Sequence, residues 1–455
     1  MKKLTRKGQM LVYAIGGMGV NMLNLMMGSY LLSAIIASGF GEAAVKNQTF
    51  SGLIGQKLDL VIVAAWMVLG IIAKVIDGVI DIPMASFTDN LKSKFGRRRP
   101  ALIIGLIPMV IAYVLFALVT PEMKNESLAN TIFYFAMLCV FYIFYTLTMV
   151  TYYATFTEIV DTVEERNFIS NVKSVCDIVY FILGYVVVRA MLNGMNIRLV
   201  SMIVLPIVLT MLIPIFMIKE KSTLPEDVAQ EEGPEKHLET VNLFKSIACT
   251  FKNKNYILWL IVYSFMTFGV QLFLSGINEF FSVSGMSMIV VMVCAFGPVP
   301  LTLMIYNKLI KKYGFGVAFA YTLIIFGLAM LGMYFIARME AGTGKMVVSI
   351  IGGLLSSFAI GALFSVAYSV PSQLAADEEK KTGISNSAMY FAVQGLFAGV
   401  ASGIGGAFML NLLKKTDNTI YITMVAAIAM AVSLVLMIFL PKTVLRMGKE
   451  EKKQE

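Results

Sequence analysis

Ala101-Leu-Ile-Ile-Gly105-Leu-Ile-Pro-Met-Val110-Ile-Ala-Tyr-Val-Leu115-Phe-Ala-Leu-Val-Thr120 contains no charged residue, and it follows directly on Gly96-Arg97-Arg98-Arg99-Pro100. A helix of this length is about 30 Å long, which matches the hydrocarbon core of a bilayer. The arginines form a cationic foot at the headgroups, and Pro100 starts the helix where a missing amide costs nothing. The same signature recurs at 199–218, 256–278, 346–376 and 418–441, all apolar runs. With 58% hydrophobic and 14% charged residues, the chain cannot cover a water-soluble surface, so lipid is most of its solvent.

This ruler predicts an all-α membrane protein of twelve transmembrane helices, over 10–37, 58–87, 100–120, 130–156, 174–190, 199–218, 256–278, 283–307, 316–337, 346–370, 384–412 and 418–441. Of the 37 Lys and Arg residues, 27 fall in the two tails, the central loop and the loops on their side. The positive-inside rule therefore makes both termini cytoplasmic in a plasma membrane, expected to be a bacterial inner membrane. The net charge of +9 is explained by anionic headgroups, with no need of a nucleic acid. The Met1-Lys-Lys start reads as a retained span rather than a cleaved signal, and the four cysteines suggest no disulfide framework. One histidine, His237 in the central loop, excludes His-based zinc chemistry, and no cofactor is expected.

The chain repeats itself. Asp89-Asn-Leu-Lys-Ser-Lys-Phe-Gly96 after span two parallels Asn307-Lys-Leu-Ile-Lys-Lys-Tyr-Gly314 after span eight. The same offset carries Glu158, after span four, to Ala376 beside Asp377. Two six-helix halves are expected, 1–218 and 255–441. They are joined by a cytoplasmic loop at 219–254 with a short interfacial helix (Val241, Phe244, Ile247, Phe251) and followed by a cytoplasmic tail at 442–455. Duplicated halves suit a transporter that exposes one site to each side in turn, and a channel or membrane enzyme has no such need of them. No nucleophile–base set or nucleotide loop points to an enzyme.

Charges inside spans are costly and need a cause. Lys74, Asp77 and Asp81 recur at spacings of three and four on one helical face of span two. Two carboxylates one turn apart suit reversible binding of a proton or Na⁺, and the competing reading is a structural staple in which Lys74 neutralises Asp77. Thr146 in span four is a candidate extra ligand. Asp89 with Arg97, Arg98 and Arg99 is a candidate cytoplasmic latch. Asn21, Asn24, Asp177, Gln271 and Gln394 are interior polar groups that either line a cavity or bond neighbouring helices. Tyr145, Tyr152, Tyr153, Trp66, Trp259 and Tyr390 are candidates for aromatic walls.

In order and spacing, Tyr13-Ala-Ile-Gly16-Gly-Met-Gly19-Val-Asn21, Asp77-Gly-Val-Ile-Asp81-Ile-Pro83, Asp89, Gly96-Arg-Arg-Arg-Pro100, Glu158-Ile-Val-Asp161, Glu165-Arg166, Ala376-Asp377 and Gly383 resemble the glycoside-pentoside-hexuronide cation symporters, the melibiose permease-like branch of the major facilitator superfamily. The resemblance implies cation-coupled symport of a sugar, glycoside or related solute. It assigns the coupling cation to Asp77 and Asp81, with help from Thr146. Glu158, Arg166 and Asp377, on the cytoplasmic side, are further gating candidates. Departures accompany the resemblance. Ile80 replaces an asparagine ligand, which favours H⁺ over Na⁺. Asn21 and Met149 replace the two sugar-binding aspartates, and Gly399 replaces the span-eleven lysine. Transport or export of a non-sugar molecule, such as a lipid, drug or metabolite, is therefore the alternative reading, and a non-transporting receptor on the same fold is a third. Asn21, Met149, Tyr153, Gln271, Gln394 and Gly399 are the substrate-binding candidates. The partners expected are a small-molecule substrate, a coupling cation, with no other metal, and membrane lipid. A monomer suffices for this mechanism, and the sequence does not specify an oligomeric state.

Overall fold

A computed structural model describes residues 6–89, 91–159, 163–217, 222, 253–382 and 387–447. Among these residues the fold is helical, with only two isolated bridges, Ile36 with Asp59 and Val61 with Ser127. The expected interfacial helix at 241–251 and the tail beyond 447 lie outside the described residues.

Nine described helices are long and apolar enough to cross a membrane, and a tenth span is counted if the bent pair Met288–Phe296 and Val299–Tyr313 is taken together. Gly297-Pro298-Val299-Pro300 explains the 43° bend, because neither proline can donate to the helical ladder. The expected span 58–87 occurs as two helices, Val63–Val79 and Asp81–Asp89, which part at Ile80. Pro83 is the physical reason: it has no N–H for the Val79 carbonyl, and its ring crowds that carbonyl. The expected span 174–190 lies in a helical stretch from Val163 to Met191 that carries Lys173, Asp177 and Arg189. Span ten belongs to a helix, Thr343–Thr382, that continues well beyond the apolar stretch.

The helices divide into two compact units. The first comprises Met1–Ala37, Val45–Ala65 and Val79–Glu239; the second comprises Ser38–Ala44, Trp66–Gly78 and Thr240–Glu455. In the first, span one approaches its neighbours through glycine. A Cβ on Gly16 would lie 2.4 Å from Pro214, and one on Gly19 would lie 2.1 Å from the Ile207 carbonyl oxygen. Helices in lipid gain little from hydrophobic association, so close backbone contact of this kind supplies much of the packing. Helix Arg98–Leu118 shows the two-sided result, with Ala101, Gly105, Met109 and Ala112 buried and Ile104, Ile107 and Ile111 exposed.

Local structure is alike at the two turns that the sequence pattern pairs. Gly96 and Gly314, 218 residues apart, both take positive φ, +79° and +92°, just before helices Arg98–Leu118 and Phe315–Ala337. This region costs other residues energy, so a glycine is required at each turn. π-helical turns interrupt span one at Met27–Leu31, span five at Leu183–Val187 and span eleven at Ile404–Met409.

Candidate functional site

In the N-terminal unit, polar groups gather where spans one, four and five meet. The Tyr145 hydroxyl donates to Asn21 Oδ1 at 3.2 Å, and Tyr145 stacks on Phe141. Two turns further along the same helix, Tyr153 is 39% exposed, with the Lys173 ammonium 5.1 Å from its ring centre. Lys173 in turn donates to Asp177 Oδ2 at 2.6 Å, and both side chains remain more than a quarter exposed. The cluster therefore offers a cation, a carboxylate, an amide and phenol hydroxyls beside aromatic faces. Such a set can orient a hydroxylated or charged small solute. Lys173 is not among the sequence candidates, although its (i, i+4) spacing to Asp177 is the available signal.

Other candidates in this unit lie apart from that cluster's open side chains. Tyr152 is buried and its hydroxyl donates to the carbonyls of Tyr13 and Ala14, which clamps span four to span one. Thr146 and Met149 are buried. Thr88, at the end of the short helix that begins at Asp81, shares a 3.0 Å hydroxyl bond with Thr151 and so ties that helix to span four. Asp81 itself is exposed.

In the C-terminal unit, Lys74 Nζ lies 3.3 Å from Asp77 Oδ2, and the two side chains are 20% and 25% exposed. The helix that carries them meets span eleven backbone to backbone. A Cβ on Gly399 would sit 2.6 Å from the Lys74 carbonyl oxygen, one on Gly403 2.8 Å from Ile71 Cα, one on Gly78 2.8 Å from the Gly395 carbonyl oxygen, and one on Gly70 2.3 Å from Ala407 Cβ. Gly70-x₃-Lys74-x₃-Gly78 thus faces Gly395-x₃-Gly399-x₃-Gly403-x₃-Ala407. This four-residue ladder is visible in the sequence as a small-residue stripe, which the search for polar candidates passes over. Asp77 belongs to the C-terminal unit and Asp81 to the N-terminal one, since the chain passes between units after Gly78.

Of the remaining polar candidates of this unit, Gln394 and Tyr390 bond helix to helix and Gln271 bonds within its own helix. Gln394 accepts from Trp259 Nε1 at 2.7 Å, and Gln271 donates to Ser275 on its own helix at 2.8 Å. Tyr390 is buried, with its hydroxyl accepting from Asn253 and its carbonyl from the Tyr256 hydroxyl. Trp66 is buried as well. A further ion pair escapes sequence reasoning entirely: Lys414 donates to Glu279 at 2.6 Å, with side chains 1% and 0% exposed, and the ammonium also lies 5.0 Å from the Phe40 ring centre. Each residue falls at the edge of a span, where a charge is ordinary in sequence. Arg97, Arg98 and Arg99 are half-buried, and Arg99 lies 5.8 Å from the Phe95 and Phe216 ring centres. The side chains of Asp89, Glu158, Arg166 and Asp377 lie outside the described residues.

Comparison with known proteins bears on the fold and the family. The fold is similar to that of the nucleoside transporter NupG (TM-score 0.61, 15% identity, 97% of this chain and 99% of that one). It is also similar to a POT family transporter in complex with a thioalcohol-conjugated peptide (0.63, 12%, 96% of each). A third likeness is to a bacterial homologue of the human lysosomal transporter Spinster, inward-facing and unoccupied (0.61, 12%, 99% and 100%). A search of curated proteins found no match. The family described as MFS/sugar transport protein matches residues 12–443. Covering nearly the whole chain, that match places it in the melibiose permease-like family of the major facilitator superfamily, as a multi-pass membrane transporter of a small molecule.

Proposed function

We propose that the chain is a secondary active transporter of twelve spans, with both termini cytoplasmic in the plasma membrane. In this reading it carries a sugar, glycoside or similar hydroxylated solute together with a cation by alternating access. The observation that carries the reading is the N-terminal cluster of Asn21, Tyr145, Tyr153, Lys173 and Asp177, because polar groups at bilayer depth are retained where they face water or a solute. Asp77 and Asp81 are the coupling carboxylates, and protons are the expected ion, since Ile80 offers no side-chain oxygen for a sodium shell. A proton needs only one carboxylate.

The second reading, a less hydroxylated metabolite or lipid, is favoured by Met149, which is 4% exposed at a position where a carboxylate would serve a sugar. The test is a proteoliposome screen of candidate solutes with proton and sodium gradients imposed one at a time. Accumulation that follows the pH gradient and disappears in Asp81→Asn supports proton symport. Accumulation driven by Na⁺ at equal pH overturns the choice of ion, and saturable uptake of an apolar solute in place of sugars establishes the second reading.

The cytoplasmic charges Asp89, Arg97, Arg98, Arg99, Glu158, Arg166 and Asp377 are proposed to hold the outward-open state. Asp89→Asn should raise the reactivity of a reporter cysteine on the cytoplasmic cavity wall, and an unchanged reactivity removes the latch.

A further inference from the structure

We propose that the Lys74 ammonium is a built-in replacement for the exchangeable cation at Asp77, so that Asp77 takes up no Na⁺ or Li⁺ and, of the two proposed coupling carboxylates, Asp81 is the one left to exchange the ion. The inference rests on the proposed role of span two in ion coupling.

The geometry begins with the backbone. Hypothetical side chains at Gly399 and Gly403 would collide with the Lys74 carbonyl oxygen and with Ile71 Cα, so neither of these two positions can carry a cationic side chain without parting the helices. The same crossing leaves a Cβ position on Gly403 only 3.3 Å from Lys74 Cβ, which holds the start of the lysine stem against glycine. From that fixed root the ammonium reaches Asp77 on its own helix, three residues on, at 3.3 Å. Both groups are on the helix that ends at the Pro83 break, and both are partly buried.

An alkali ion bound to Asp77 would therefore sit beside a second positive charge, and in a medium of low polarity the two repel strongly. The tethered ammonium has the advantage, since it is held within reach at all times and loses no translational freedom on pairing. An ion site that is always filled cannot transmit an ion gradient. Na⁺ selectivity is then decided by Lys74 as much as by the missing oxygen at Ile80, and removing the ammonium should open a site that the native chain keeps closed.

The test needs no transported solute. Purified full-length protein in nanodiscs is titrated with radioactive Na⁺ in choline buffer, and its melting temperature is followed against NaCl and LiCl. The native chain is expected to show no saturable binding and no ion-specific shift. Lys74→Met should gain saturable Na⁺ or Li⁺ binding, with about tenfold or more ion bound than by the native chain at the same free concentration. Adding Asp77→Asn should abolish the gain. Lys74→Gln serves as the second variant should the methionine form prove unstable. Native protein that binds Na⁺, with binding lost in Asp77→Asn, overturns the inference without recourse to any variant of Lys74. Folded Lys74→Met and Lys74→Gln that gain nothing overturn it as well, since the lysine would then be only a packing element. These outcomes are independent of solute uptake, so a chain that binds ions as predicted yet accumulates no solute would refute the symport reading and leave this one standing.

Discussion

The Lys173–Asp177 pair of the N-terminal unit and the Lys414–Glu279 pair of the C-terminal unit place their charges in opposite surroundings. In the N-terminal unit, Lys173, Asp177 and Tyr153 keep a quarter or more of their side-chain surface open, and the bonds they make join neighbours on the same helix or adjacent ones. In the C-terminal unit, Lys414 and Glu279 are sealed, and Trp259 and Gln394 are buried on each other. An exposed ion pair in water contributes about 0–1 kcal/mol, whereas breaking a sealed pair strands a charge. The open cluster of the first unit is the one proposed to meet a solute, and the sealed pairs of the second fix helix against helix; Tyr152 in the first unit and the partly open Lys74–Asp77 pair in the second are the exceptions.

Lys414→Ala tests the comparison most severely. It leaves the Glu279 carboxylate buried without its cation, and a loss of about 3–5 kcal/mol in unfolding free energy is expected. The paired replacement Lys414→Met with Glu279→Leu should recover most of it, since apolar residues of similar volume tolerate the site. Denaturant unfolding in detergent reads both. If the single variant is as stable as the native chain, the C-terminal pair is not a structural tie.

Gly399→Leu should be the next largest effect. Its Cβ alone meets backbone at 2.6 Å, so the helices must separate, at a cost of about 1–3 kcal/mol. Gly332→Ala is the matched control, because nothing lies within 4 Å of the added carbon. Equal melting temperatures for the two variants would show that the glycine ladder is not a close crossing.

Asp177→Asn should have the smallest effect on stability, within about 1 kcal/mol, because the Lys173 pair is partly open to solvent. Solute uptake should nonetheless fall by at least about tenfold, the equivalent of one charged hydrogen bond to a ligand. Uptake at native level, or a melting loss as large as that of Lys414→Ala, would erase the distinction between the units.

The repeat shows why some of this is visible in one dimension. Asp89 to Gly96 and Asn307 to Gly314 are local patterns, and the turn that each glycine makes before its helix needs a positive φ, so both turns follow from sequence. The apolar runs are equally local, since each span must satisfy its own backbone in lipid. Span two is harder to read: its hydropathy is continuous, but Pro83 divides the helix at Ile80. Tyr152 and Trp259 look like wall residues from their type alone, and only their hydroxyl and indole partners reveal clamps.

The sequence by itself determined the solvent of this protein and its family, because hydropathy and motif order are properties of short stretches. Tertiary structure alone decided that Lys414 meets Glu279 across 135 residues, that Gly399 abuts Lys74, and that Lys173 rather than Met149 supplies polarity beside Tyr153. These pairings depend on which faces of distant helices touch, and a uniformly apolar helix gives no preference for one face over another until its neighbours are in place.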